Sequence, residues 1–212
     1  MKMTQGEKSE RSRGVILEAA LQLFSKHGYR GTSIREIAEQ AGLSTGNVYH
    51  HFPDKEALFR TLLDQYWEAI DTPDFPFNKA LAAGAFPNDL EALAAAAQES
   101  VRAYRRHVAL IYVDVVEFDG THIRKFYSGM PGRFATFMTK RFPGGSLKDQ
   151  LAPGVDPTTA VMLASRIFLQ YFAVEVLFGV PEQLGKETPN AISEISDILR
   201  HGLLRPIDTK KK

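Results

Sequence analysis

Residues 32–58 read TSIREIAEQAGLSTGNVYHHFPDKEAL, and this stretch decides the fold. Ser33 and Glu36 have the spacing of a capping box, in which each side chain satisfies a free amide in the other's turn. Ile34, Ile37, Ala38 and Ala41 then give a short helix one apolar face. Gly42 suits the left-handed residue that stops it, and Ser44 can cap a second short helix running to Phe52. Two short helices joined by Ala41-Gly42-Leu43 have helix-turn-helix spacing. At about 100° per residue, Val48 and Phe52 face inward with Ala38, Leu23 and Phe24. Gly46, Asn47 and His50 lie opposite, with Thr45 and Tyr49 on one flank and His51 on the other. Such a helix is about 12 Å long, which fits a major groove about 12 Å wide. Glycine permits close backbone approach, Thr45 and Asn47 can hydrogen-bond base edges, and Tyr49, the histidines and Lys55 can reach phosphates.

Outward from this stretch the pattern is helical throughout. Ile16, Ala19, Ala20, Leu23 and Phe24 define an amphipathic helix over about 15–24, with Ser12 as its cap and Gly28 as its stop. Asp54 caps a fourth helix from Lys55 to about Ile70. Residues 72–88, with Pro73, Pro76, Gly84 and Pro87, read as an irregular connector. Helix resumes at the Asn88/Glu91 cap pair and runs to about Arg106. The β-branched segment 108–118 is expected to be helix because no strand partner exists elsewhere. Further helices are expected over about 121–142, broken near Gly129–Gly132, then over 157–179 behind an Asp156-Pro157 start and over 189–204. Residues 143–157, with Pro143, Gly144 and Gly145, read as a mobile loop; residues 1–11 and Lys210–Lys212 read as solvated termini. The expected fold is therefore all-α: a three-helix head in residues 1–60 and a helical ligand-binding and dimerisation domain in residues 61–212.

Composition narrows the classes of function. The chain has 212 residues with 26 Lys+Arg and 25 Asp+Glu, so it is not a polycation that coats nucleic acid indiscriminately. Residues 1–60 carry nine basic and seven acidic side chains, a weak footprint for phosphate binding. There is no Cys, which excludes thiolate chemistry and Cys-type zinc sites. No run of about 18 consecutive apolar residues occurs, and the N-terminal residues lack the apolar stretch of a signal peptide, so a soluble cytoplasmic protein without membrane partners is expected. An enzyme is disfavoured: G-x-S-x-G, H-E-x-x-H and a phosphate loop are all missing. No metal or other cofactor is expected, since His50 and His51 diverge by about 100° on a helix, and His107, His122, Asp114 and Glu117 lack compact ligand spacing.

The stretch from Val15 to about Leu63 resembles the N-terminal DNA-binding domain of the tetracycline-repressor (TetR/AcrR) family of bacterial regulators. The matching elements are ILEAALQLFSKHGYRGTSIREIAEQAGLS, the Tyr49-His50-His51-Phe52 block and Lys55-Glu56-Ala57-Leu58. The resemblance implies an all-α homodimer that represses transcription from a palindromic operator and is released by a small-molecule inducer. It also implies that Arg35, Thr45, Gly46 and Asn47 face bases, while Tyr49, His51 and Lys55 hold phosphates. Thr32 and Ser33 at the start of the second helix, and His50 in a more variable place, complete the expected DNA-facing set. Lys2, Lys8, Arg11 and Arg13 read either as an arm tracking the DNA backbone or as a disordered terminus.

Beyond the head, polar residues interrupt apolar helices at Asp114, Glu117, Arg166, Gln170 and Glu175. Burying them is costly unless they are paired. They serve either ion pairs or a ligand pocket, for which Trp67, Tyr104, Tyr112, Glu117, Phe126, Tyr127, Phe137, Arg166 and Gln170 are the candidate lining. The 157–179 helix is apolar nearly all round and the last helix carries a stripe from Ile192 to Leu203. The two are the candidate dimer surface, packed as a four-helix interface. A ligand-independent regulator, whose second domain only dimerises or docks a protein partner, is the alternative.

Overall fold

The structure is a computed structural model and describes residues 4–141 and 147–201. The described residues form helices, with a single 3-10 turn at Lys148–Gln150. In chain order the helices are α1 (Gln5–His27), α2 (Ile34–Ala41), α3 (Thr45–His51), α4 (Lys55–Asp71), α5 (Pro76–Ala82), α6 (Ala85–Asn88), α7 (Leu90–Ala103), α8 (Arg105–Glu117), α9 (Thr121–Arg141), α10 (Pro157–Phe178) and α11 (Thr188–His201). The packing makes two compact units. One is the chain through Thr72 together with Tyr104–Met130, and the other is Pro73–Ala103 together with the chain from Pro131 onward.

In the first unit, α1 packs on α2, α3, α4 and α8. Its core holds Ile16, Ala20 and Phe24 of α1, Ile37 of α2, Val48 of α3 and Leu58, Phe59, Leu62 and Leu63 of α4. Leu110 of α8 is fully buried in the same cluster. Helices α1, α2 and α3 alone bury too little apolar surface to close a core, and α4 and α8 complete it. The compact unit consequently continues past residue 60.

In the second unit, α7 packs against α5, α6, α10 and α11. Its buried side includes Ala94, Ala97 and Ser100, small residues that let neighbouring backbones approach closely. Ser100 accepts the Phe77 N–H at 3.1 Å and donates to the Ala96 carbonyl at 2.8 Å, so its buried hydroxyl is satisfied. Glu175 of α10 accepts from Gln98 of α7 at 2.9 Å and from Thr188 of α11 at 2.7 Å, tying three helices together. By length and composition α10 could cross a membrane, yet 39% of its most apolar window is buried and Glu175 sits within the helix.

Several boundaries differ from the sequence expectations. Helix α1 starts at Gln5, because Thr4 and Glu7 form a capping box of their own, so residues 5–11 are helical instead of a disordered arm. The connector contains α5 and α6. Asp89, and not Asn88, caps α7, accepting the Ala92 N–H at 2.9 Å. Helix α9 runs unbroken through Pro131. The expected starts at Ser33, Ser44, Asp54 and Asp156 hold, each side chain accepting an amide of the first turn. Lys2, Pro143, Gly144, Gly145, Leu203 and Lys210–Lys212 lie outside the described residues.

Candidate nucleic-acid interface

The head is built from its caps inward. Ser33 closes α2 with Glu36: its N–H and its hydroxyl each donate to one Glu36 carboxylate oxygen at 2.7 Å. The Ser33 hydroxyl and backbone hold the Glu36 carboxyl below the usual carboxylate range. Gly42 takes the left-handed conformation (φ 67°, ψ 30°) that turns the chain, and Leu43 packs against the core at the angle between α2 and α3. Val48 and Phe52 are buried, at 0% and 3% exposure, which orients the seven residues of α3. Arg35, Thr45, Gly46, Tyr49 and His50 are then exposed, and Tyr49 shows 55% of its surface. His50 and His51 meet edge to face at 5.2 Å, with His51 half-buried. A short helix with one exposed polar face and a glycine at its first turn can enter a major groove and read base edges.

Three expected DNA contacts are placed differently. Thr32 is 2% exposed and its hydroxyl donates to the Gly28 carbonyl at 2.8 Å, so its side chain closes the α1–α2 turn and faces no solvent. Asn47 is half-buried, on the flank beside His51, and its Oδ1 is buried without a partner. Its register lies about 100° from the inward Val48, which is a flank and not the outer face. Lys55 points back into the protein. Its ammonium donates to the carbonyls of Tyr29 and Thr32, both at 2.8 Å, and lies 4.2 Å from the Tyr29 ring centroid. Burial pushes its pKa down, with Glu117 and Glu36 opposing that shift.

The α1–α2 turn is also gripped from the other side. Glu117, at the end of α8, accepts the Tyr29 N–H at 2.9 Å and the Arg30 N–H at 2.6 Å. Lys55 and Glu117 together engage four backbone groups of the loop, beside its internal bond from the Thr32 N–H to the Tyr29 carbonyl at 3.3 Å. Beneath them Phe24, Tyr29, Phe59 and Phe118 form an aromatic cluster with centroids 4.6–5.7 Å apart. Asp114, fully buried one turn earlier in α8, accepts from His122 Nδ1 at 2.6 Å and from the Ile123 N–H at 2.9 Å, capping α9. Asp114 and Glu117 therefore bind their own chain, and the Glu117 carboxylate faces the α1–α2 turn where a pocket lining was expected.

The remaining pocket candidates are divided. Trp67, Tyr104, Tyr112, Phe126 and Tyr127 belong to the first unit, and Phe137, Arg166 and Gln170 to the second. Trp67 stacks on Phe126 with centroids 4.0 Å apart, and Tyr104 packs on Tyr66 and His107. Arg166 and Gln170 are exposed, because they fall on the side of α10 opposite Phe168, Tyr171 and Phe172. A cleft of about 400 Å³ lies on the head, lined by Leu23, His27, Gly31, Thr32, Glu36, Glu39 and Gln40. None of the expected pocket residues borders it.

Two features escaped the sequence reading. The Glu117 grip links positions 87 and 88 residues apart, and no periodicity reports such a pair. The early start of α1 was visible as Thr4-Gln5-Gly6-Glu7, a capping-box spacing ahead of the apolar stripe.

Among the described residues, an exposed α3 set on a buried α2–α3 corner has the helix-turn-helix architecture. Residues 16–62 match the sequence model of bacterial regulatory proteins, tetR family. Over 62 residues it is 45% identical to the HTH-type transcriptional repressor AcnR of Corynebacterium efficiens, covering 29% of this chain and 33% of AcnR. Over 115 residues it is 33% identical to the HTH-type transcriptional repressor KstR2 of Rhodococcus jostii, covering 54% of this chain and 53% of KstR2. The matches thus span a third to a half of the length of these relatives. The fold is similar to that of NalD from Pseudomonas aeruginosa, the secondary repressor of the MexAB-OprM multidrug efflux pump. That likeness has a TM-score of 0.59 and 22% identity, over 94% of this chain and 100% of NalD.

Proposed function

We propose that the protein is a cytoplasmic one-component transcriptional repressor that binds a palindromic operator as a homodimer and is released by a small molecule. The observation that carries the reading is the exposed set Arg35, Thr45, Gly46, Tyr49 and His50 on a head that matches this family's sequence model. In this reading residues 1–60 bind DNA and residues 61–212 dimerise and respond to ligand. The named relatives AcnR and KstR2 are repressors, which favours repression over activation. Selection of binding sites from a random duplex pool at fixed salt tests the core of the proposal. An enriched palindrome is expected; a folded dimer that enriches nothing, even after denaturation and refolding to strip any bound ligand, overturns it.

The dimer surface is assigned to the solvent-facing side of α10 with α11. Leu163 and Phe178 of α10 are 52% and 55% exposed, and Ile198 of α11 is 40% exposed. An apolar stripe of this kind supports an isologous interface, in which the same surface is used twice. Leu163→Glu is expected to convert the dimer to monomer in sedimentation and to weaken palindrome binding by at least about tenfold, because each head alone holds one half-site. A dimeric Leu163→Glu protein with undiminished binding would move the interface elsewhere.

A ligand-independent regulator is the second reading. Glu117 is bound to the head, and Trp67 and Phe126 fill each other's faces, which favours a packed core over a pocket at those positions. Release of the operator complex by candidate small molecules separates the two.

A further inference from the structure

Resting on the DNA-binding reading of the head, we propose that Arg13 binds a backbone phosphate of the duplex at the C-terminal end of α3. Arg13 lies in the first part of α1, ahead of the segment that matches the family at residues 16–62. Its guanidinium carbon stands 5.4 Å from the centroid of Phe52, the residue that caps the C-terminus of α3. The side chain is half-buried, and among the described residues it makes no hydrogen bond or ion pair with another side chain. The Thr4–Glu7 capping box starts the helix at Gln5, so Arg13 is carried within a continuous helix.

The groove geometry supplies the ligand. A seven-residue helix is about 10 Å long, and the major groove it enters is about 12 Å wide. With the N-terminal residues of α3 at the bases, a cation stacked beyond its last turn lies at the rim, where the phosphates run. Stacking on Phe52 holds the flat guanidinium while leaving its five N–H donors for a phosphate, a geometry that a lysine cannot reproduce. Glu7 is turned back onto Thr4, so it does not compete for the guanidinium. The competing role is internal: a positive charge near the α3 C-terminus also offsets its helix dipole.

Salt dependence separates the two roles. Wild type, Arg13→Met and Arg13→Lys are titrated with the selected palindrome and with a mixed-sequence duplex across a range of salt, and each variant is unfolded in urea. Arg13→Met keeps the hydrophobic stem over Phe52 and removes the charge. Its slope of log affinity against log salt is expected to fall by about two for the bound dimer, one for each subunit's Arg13, on both duplexes alike, with the urea midpoint unchanged. Arg13→Lys, which retains the charge, is expected to retain the slope while binding more weakly than wild type. An unchanged slope in Arg13→Met overturns the proposal, as does a lowered urea midpoint with the slope intact, which marks a packing or dipole role. Should Arg13→Met not fold, Arg13→Gln provides the same reading of the slope. Wild-type protein that binds neither duplex at low salt overturns the DNA-binding reading itself, whereas normal wild-type binding with an unaltered variant slope overturns only the assignment of Arg13.

Discussion

Glu117→Ala is expected to lower stability by about 2–3 kcal/mol, because two backbone N–H groups lose a charged acceptor. The loss stays in the lower part of the possible range because the Arg30 N–H is exposed and water can replace its partner, while the Tyr29 N–H is partly buried. The loss extends to function. The α1–α2 turn leads directly into Ser33 and α2, so a loosened turn lets α2 and the α3 it carries drift from the geometry that fits the groove. Operator affinity should consequently fall together with the urea midpoint. Gly28 provides an independent check. It has φ 78° and ψ 173°, a region essentially reserved for glycine, and a Cβ there would stand 2.5 Å from Glu117 Oε1. Gly28→Ala therefore costs backbone strain and also displaces the carboxylate. In the Glu117→Ala background only the backbone strain remains, so the double variant should be less unstable than the sum of the singles by about 1 kcal/mol. Strict additivity in urea unfolding would show that the carboxylate does not hold this turn.

Asp114→Ala is expected to cost about 3–5 kcal/mol, the loss found when a buried charged group is removed from its partners. Asp114 is 0% exposed and serves both His122 and the Ile123 N–H. Its removal strands an imidazole ring that also packs against Phe59 and Phe118, and it uncaps α9. Asp114→Asn keeps the shape and one acceptor oxygen for the Ile123 N–H, and should cost about 1–2 kcal/mol. Equal losses for the two substitutions, measured by urea unfolding, would mean that the site responds to charge alone and not to the stranded partners.

The head was largely legible because its signals are local. Ser33 with Glu36, Gly42, Ser44 and Asp54 each act within one helical turn, and each does so in the structure. The inward Val48 and Phe52 follow from spacing alone and are both buried. The exposed Thr45, Gly46, Tyr49 and His50 follow in turn, since the face opposite a buried pair is open, whereas Asn47, expected on that face, is half-buried. The candidate pocket was less legible, because an aromatic that lines a cavity and one that fills a core obey the same periodicity. Trp67 on Phe126 is a stacked pair, and no spacing rule joins positions so far apart.

Sequence by itself determined the all-helical class, the helix-turn-helix corner and the exposed face of α3, since caps, glycine conformations and a 3.6-residue period are properties of neighbouring residues. Only the tertiary structure decided the partners of the charged side chains. Lys55 stands at a helix start that suits a phosphate, yet its ammonium is taken up by the carbonyls of Tyr29 and Thr32. Glu117 sits in an apolar run that suits a pocket, yet its carboxylate is taken up by the amides of Tyr29 and Arg30. The reason is the same in both cases: a partly buried charge goes to whichever backbone groups the packing leaves unpaired, and which groups those are is known only once α1, α4 and α8 have come together.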